Sequence, residues 1–137
     1  MIANELLWLA LLVGNFAAIL ILYRFLGQLG LYIWIPIAAI VANIQVVKYI
    51  EIVGLTATLG NIVYASSFLV TDILSENHGR RAANRAVLIG FVALLATVGL
   101  MNLALLFEPA QADTSQPHLE AIFTLLPRIT GASFVAY

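Results

Sequence analysis

The chain has 137 residues, of which 63% are hydrophobic and 9% charged, and its mean hydropathy is +1.03. Soluble domains are about 45–50% apolar and about 25% charged, and a short chain has too little interior to hide such an excess, so we interpret residues 1–137 as one transmembrane domain. A net charge of −1 without a basic tract gives no reason to expect nucleic acid, and the absence of cysteine excludes disulfides, thiolate metal sites and thiol catalysis.

Two apolar segments open the chain, and each is close to the length that a membrane crossing requires. A bilayer core of about 30 Å needs roughly 20 residues of helix. Residues 5–25 and 31–50 meet this requirement, with Gly27, Gln28 and Gly30 in the short connection. The N-terminus lacks the basic region of a cleaved signal peptide, so we expect the first helix to be retained.

Residues 55–75 form a third hydrophobic segment, which is irregular because glycine and polar side chains interrupt it. Polar and ionisable groups at membrane depth are costly, so a chain that keeps several together is expected to use them. Irregular backbone at that depth is tolerated where protein covers it or where it lines a wet cavity. A full crossing and a broken or re-entrant helix both fit this pattern.

The remaining residues continue the membrane pattern. Residues 87–107 are the cleanest span, residues 108–120 form a polar loop, and residues 121–127 resemble a short interfacial helix that ends at Pro127. Residues 128–137 read as the opening of another helix, so we expect a truncated chain. The predicted fold is all-α and polytopic, with about four membrane segments plus the start of another.

Two carboxylates are the first candidates for a site. Asp72 and Glu76 are four residues apart, so on a helix they share one face. One of them could bind a solute or take up a coupling proton. Alternatively, both could pair with Arg80 or Arg81, one turn further on, and mark the helix end. Spacing does not choose between these interpretations.

A second polar group, Asn43, Gln45 and Lys48, lies near the end of the second segment. Lys48 could extend its ammonium to the interface, as lysines at helix ends commonly do. The two amides require partners in hydrocarbon, and hydrogen bonds between helices are common there. We interpret one amide as structural and the other as part of a site, without a basis for choosing between them.

Aromatic residues of the third segment suggest a flat ligand. Tyr64 and Phe68 are four residues apart, and Asn61 precedes Tyr64 by three. An aromatic surface beside an amide and a carboxylate suits a heteroaromatic ring. Packing within the protein is the alternative for such a pair, and it is the commoner role of aromatic pairs at this spacing.

Three stretches of the sequence resemble a known family. N-I-Q-V-V-K-Y-I (43–50) and G-N-I-V-Y-A-S-S-F-L-V-T-D-I-L-S-E-N-H-G-R-R-A-A (60–83) resemble the signature of the queuosine precursor transporter family, also called the VUT family. P-R-I-T-G-A-S-F-V-A-Y (127–137) resembles the start of a following family helix. The chain departs from the family in its short length and in His78, where tyrosine is commoner.

The resemblance implies uptake of 7-deazaguanine precursors of queuosine, such as preQ0 or preQ1, across the bacterial inner membrane, with no cofactor. A guanine-like edge has adjacent N–H donors that one carboxylate can accept. The implied substrate-binding residues are Asp72, Glu76, Asn43, Gln45, Asn61, Tyr64 and Phe68. Ion-pair or orienting roles fall to Lys48, Arg80 and Arg81. The implied partners are the deazaguanine, the lipid bilayer and, as one explanation of the short chain, further copies of it in a homo-oligomer.

Two other classes of function compete with transport. The chain could be a non-transporting subunit or substrate-capture component that needs a separate energising partner, since it has no GxxxxGK[ST] motif of its own. An intramembrane enzyme has less support, because the sequence contains neither HExxH nor GxSxG. We therefore expect a protein that is not an enzyme.

Overall fold

The computed structural model describes residues 2–136, with the side chains of residues 4–132, and this part of the chain is mostly helical. In chain order its elements are α1 (Ile2–Leu26), α2 (Gln28–Gln45), β1 (Tyr49–Ile52), β2 (Leu55–Thr58), α3 (Asn61–His78), α4 (Arg80–Ala104), α5 (Gln116–Phe123) and α6 (Leu126–Ala136). Tyr137, the last residue of the predicted final helix, lies outside the described residues. The predicted all-α class needs one correction, the hairpin formed by β1 and β2.

Within the described residues, three helices have the length and composition to cross a membrane. They are α1, over Asn4–Leu26, α2, over Gln28–Gln45, and α4, over Arg80–Ala104. They correspond to the first, second and fourth predicted segments. The third predicted segment is not confirmed as a span, because the hydroxyl, amide and carboxylate side chains of α3 lower its hydropathy. The structure therefore supports three crossings by length and composition, and not the four that the sequence predicts.

The irregular part of the predicted third segment precedes α3, which runs as one helix from Asn61 to His78. The two strands are antiparallel, and Ile52 pairs with Leu55 across a two-residue turn. Both turn residues have positive φ, 51° at Val53 and 76° at Gly54, as a type I′ hairpin turn requires. The prediction missed this hairpin because its two short strands fall at the end of one predicted apolar segment and the start of the next.

Two hydrogen bonds tie the hairpin to the start of α1. The Val53 N–H donates to the Glu5 carboxylate at 3.2 Å, and the Asn4 side-chain amide donates to the Glu51 carbonyl at 3.2 Å. The hairpin therefore lies beside the first turns of α1 and joins α2 to α3 at that end of the bundle.

Helix α2 is the centre of the bundle, since it contacts α1, α3 and α4. Glycines permit the closest approaches: a Cβ at Gly30 would meet the Leu22 carbonyl, and one at Gly60 would meet the Ala42 carbonyl. Small residues that let helix backbones approach are typical of membrane bundles. This close packing brings α2 and α3 side by side.

A single glycine connects α3 to α4. Gly79 has φ 84° and ψ 161°, a region that is essentially restricted to glycine. Its carbonyl accepts the N–H of Ala82 at 2.9 Å, which begins the first turn of α4. The backbone conformation of Gly79 thus reverses the chain between the two helices.

Gly79→Ala is expected to destabilise the protein by about 1–3 kcal/mol, because alanine must adopt this backbone conformation. A Cβ at Gly79 would meet open space, so the cost arises from the backbone alone. The measurement is the unfolding midpoint in detergent, with Gly99→Ala in the interior of α4 as control. A Cβ at Gly99 also meets open space. Equal midpoints for the two variants would contradict the prediction.

The C-terminal helices, α5 and α6, begin at other residues than the sequence predicts. α5 begins at Gln116, inside the predicted loop, and α6 begins at Leu126. Pro117 lies in the first turn of α5, and Pro127 lies in the first turn of α6. A proline there loses no helical hydrogen bond, so Pro127 begins a helix where the sequence prediction has one ending.

Candidate functional site

A cavity of about 250 Å³ lies between α2, α3 and α4. Its apolar wall includes Ile35 and Ala39 of α2 and Val87 and Leu94 of α4. The polar and aromatic side chains of the wall are Asn43, Tyr64, Ser67, Phe68, Thr71, Asn84 and Phe91. Ligand sites commonly occupy about 300–1,000 Å³ and combine apolar walls with a few polar groups. This cavity has the same kind of wall and lies just below that range of volume, so it is suited to one small molecule.

One stripe of α3 faces the cavity. Tyr64, Ser67, Phe68 and Thr71 all line it, and their spacing of three, four and seven residues places them on one side of the helix. The rings of Tyr64 and Phe68 meet edge to face, with centroids 5.5 Å apart and planes at 88°. The sequence-predicted aromatic pair is therefore a contact within α3, and both rings border the cavity.

The hydroxyl groups of this stripe bond to their own helix. Ser67 Oγ donates to the Tyr64 carbonyl at 2.6 Å, and Thr71 Oγ1 donates to the Phe68 carbonyl at 2.9 Å. Each bond spans three residues and fixes the position of the hydroxyl oxygen. These oxygens are thus held at the cavity wall by the backbone of α3.

Asn43 contributes an amide from α2. It is buried, and its Nδ2 donates to the Ala39 carbonyl at 2.7 Å, four residues earlier. Ala39 and Asn43 both line the cavity. Of the two amides that the sequence left open, Asn43 is therefore the one that reaches the wall between α2, α3 and α4.

The predicted carboxylates lie elsewhere on α3. Asp72 and Glu76 are exposed, and neither belongs to the cavity wall. Asn61 is also exposed at the start of α3, where its Oδ1 accepts the Thr58 hydroxyl at 3.2 Å. Their roles as substrate ligands remain predictions, and the cavity itself is built from other polar groups.

Gln45 belongs to a different part of the molecule. It lines a second cavity, of about 290 Å³, between α1, α2 and α3, and its Oε1 is buried with no hydrogen-bond partner among the described residues. Lys48 follows α2, and Arg80 and Arg81 begin α4; all three side chains are exposed. Their proposed roles in ion pairing or orientation remain predictions.

Four polar or aromatic residues of the wall were not among the sequence-predicted ligands, namely Ser67, Thr71, Asn84 and Phe91. Ser67 and Thr71 could have been found by continuing the helical spacing from Tyr64. Asn84 and Phe91 lie on α4, and nothing in their spacing indicates which side of that helix faces α3. Only the packing of the helices identifies them.

Spanning-length helices around a small, mostly apolar cavity define an α-helical integral membrane protein with room for a solute between its helices. Comparison with known families agrees with this class. Residues 58–137 match the family described as "Putative vitamin uptake transporter". The match covers more than half of the chain, and the chain belongs to this family, as the sequence resemblance predicts.

A curated relative extends the similarity to the N-terminal helices. The chain is 44% identical over 134 residues to the "Probable queuosine precursor transporter" of Bacillus subtilis (strain 168). The alignment covers 98% of this chain and 58% of the relative, so the chain spans somewhat more than half the length of that protein. No solved structure matches the chain.

Proposed function

We propose that this chain forms part of a multi-pass transporter that imports queuosine precursors, 7-deazaguanines such as preQ0 and preQ1, across the bacterial inner membrane. The observation that carries the proposal is the 44% identity, over 98% of the chain, to the Bacillus subtilis protein that bears this name. The transporter family assignment also favours a role other than catalysis. The alternative, a capture component with an energising partner, has no specific observation in its favour.

The cavity supports a flat heterocyclic substrate. Tyr64 and Phe68 give it aromatic surface, and stacking of a base on an aromatic side chain contributes about 1–3 kcal/mol elsewhere. Asn43, Ser67 and Thr71 place polar atoms in the same wall. An apolar slot with a few polar groups is the usual means of fixing the orientation of a small ligand.

Restoration of precursor uptake tests the proposal. The recipient is a bacterial strain that neither makes nor imports queuosine precursors, and the readout is queuosine in its tRNA after addition of preQ0 or preQ1. We expect expression of the protein to restore queuosine, whereas the vector alone does not. Binding of the precursor without restored queuosine would instead favour the capture component.

Asp72→Asn is expected to reduce precursor uptake by about tenfold or more while leaving membrane insertion intact, if the carboxylate accepts the N–H edge of the substrate. Asp72 directly follows Thr71, which lines the cavity, although the Asp72 side chain is exposed. The measurement is initial uptake normalised to protein in the membrane. Asp113→Asn, in the exposed loop after α4, is the matched control. Wild-type uptake by Asp72→Asn would remove this carboxylate from the binding site.

A further inference from the structure

We infer that the cavity between α2, α3 and α4 selects its solute by N–H donors, because the two α3 hydroxyl groups in its wall, those of Ser67 and Thr71, are held as hydrogen-bond acceptors. The inference rests on the proposed function and specifies which edge of the ring the protein recognises. It assigns this recognition to Ser67 and Thr71, together with Asn43, all of which line the cavity.

The two hydroxyls have already used their donors. A serine or threonine hydroxyl has one O–H to donate and two lone pairs to accept. The Ser67 hydroxyl donates to the Tyr64 carbonyl at 2.6 Å, and the Thr71 hydroxyl donates to the Phe68 carbonyl at 2.9 Å. What each oxygen can still offer a ligand is a lone pair.

A neighbouring serine, Ser66, shows inside the protein how such a hydroxyl accepts a hydrogen bond. Ser66 is buried and donates to the Val63 carbonyl at 2.6 Å, the same bond to the residue three positions earlier. Its Oγ also accepts the indole N–H of Trp34 at 3.1 Å. A serine of α3 in this arrangement therefore accepts an N–H from an aromatic heterocycle, and Ser67 presents the equivalent oxygen to the cavity.

Asn43 adds an acceptor from the facing helix. Its Nδ2 donates one N–H to the Ala39 carbonyl at 2.7 Å, which fixes the plane of the amide and leaves the carbonyl Oδ1 and the second N–H available. Asn84, on α4, is exposed, so its amide can donate or accept. Acceptors thus reach the cavity from both α2 and α3.

The complementary ligand is a planar ring with adjacent N–H donors along one edge. A 2-amino group next to a ring N–H, as in guanine and its 7-deaza analogues, provides such an edge. A ring of the same shape without the amino group would leave a wall acceptor desolvated and unpaired, and that loss costs more than a hydrogen bond exchanged with water. The wall therefore discriminates between rings of nearly equal size.

The test compares two ligands that differ only in this donor. Binding of 7-deazaguanine and of 7-deazahypoxanthine to the purified protein is measured by calorimetry, and we expect 7-deazaguanine to bind roughly tenfold more tightly or better. The double variant Ser67→Ala/Thr71→Val removes both hydroxyl acceptors and is expected to lower this ratio severalfold.

Thr97→Val is the matched control. Thr97 Oγ1 also donates to a carbonyl of its own helix, that of Ala93 four residues earlier, at 2.8 Å, but Thr97 does not line the cavity, so this variant should keep the wild-type ratio. Equal binding of the two ligands by the wild type, a comparison that needs no variant, would overturn the inference. So would an unchanged ratio in the double variant. Binding of neither ligand would instead remove the proposed function, and the inference with it.

Discussion

Asn43→Leu is expected to lower precursor uptake by about tenfold or more, the effect of losing one polar contact to a buried ligand. Leucine has the same branched shape and number of side-chain heavy atoms as asparagine, so the α2 wall of the cavity stays filled while its amide is lost. Asn43 is only 9% exposed and lines the cavity opposite the stripe of α3. The measurement is the initial rate of preQ0 uptake, normalised to the amount of protein in the membrane.

Asn15→Leu provides a closely matched control. Asn15 is 6% exposed, and its Nδ2 donates to the carbonyl four residues earlier, Leu11, at 2.6 Å. Asn43 makes the equivalent bond to Ala39 at 2.7 Å. Both substitutions therefore remove a buried amide with the same local bond, but Asn43 lies in the wall between α2, α3 and α4, whereas Asn15 lines the second cavity, between α1, α2 and α3. Equal losses of uptake would show that a buried amide stabilises the fold generally, and would contradict the assignment of the site.

The spans could be predicted from sequence because their signal is local. An apolar run of sufficient length defines α1, α2 and α4 whatever they pack against. The hairpin has a weaker signal: β1 and β2 have four residues each, and the positive φ of Val53 is not what a β-branched residue favours. A bond from the Val53 N–H to Glu5, 48 residues earlier in the chain, supports that turn, and sequence patterns do not reveal such a contact.

The site residues on α3 were also hard to predict, because sequence patterns do not reveal which residues pack together. Spacing correctly places Tyr64 with Phe68 on one face, and Asp72 with Glu76 on one face, but it does not tell which face meets α2 and α4. Carboxylates attract functional interpretation because they are costly in a membrane, whereas Ser67 and Thr71 are common packing residues there. The structure turns the hydroxyls toward the cavity and leaves Asp72 and Glu76 exposed. Helix packing, which is a long-range property, decides this assignment.

Gly60→Ala is expected to destabilise the protein by about 1–3 kcal/mol or more. The added methyl group would overpack against backbone atoms, which cannot move aside as a flexible side chain can. A Cβ on Gly60 would collide with the Ala42 carbonyl oxygen and lie 3.1 Å from the Val46 nitrogen. Both atoms belong to the backbone at the end of α2, so the start of α3 must move away from that helix. We expect a lower unfolding midpoint in detergent than for the wild type.

The same substitution should weaken ligand binding, because Gly60 joins the two walls of the cavity. Ala42, against which Gly60 packs, is next to Asn43. The Gly60 carbonyl accepts the Tyr64 N–H at 3.0 Å. Moving α3 from α2 therefore separates Asn43 from Tyr64. Affinity for 7-deazaguanine measures this separation, and Gly14→Ala in α1, where a Cβ meets open space, is the control. If Gly60→Ala has the same unfolding midpoint and the same affinity for 7-deazaguanine as Gly14→Ala, the junction between α2 and α3 does not set the width of the cavity.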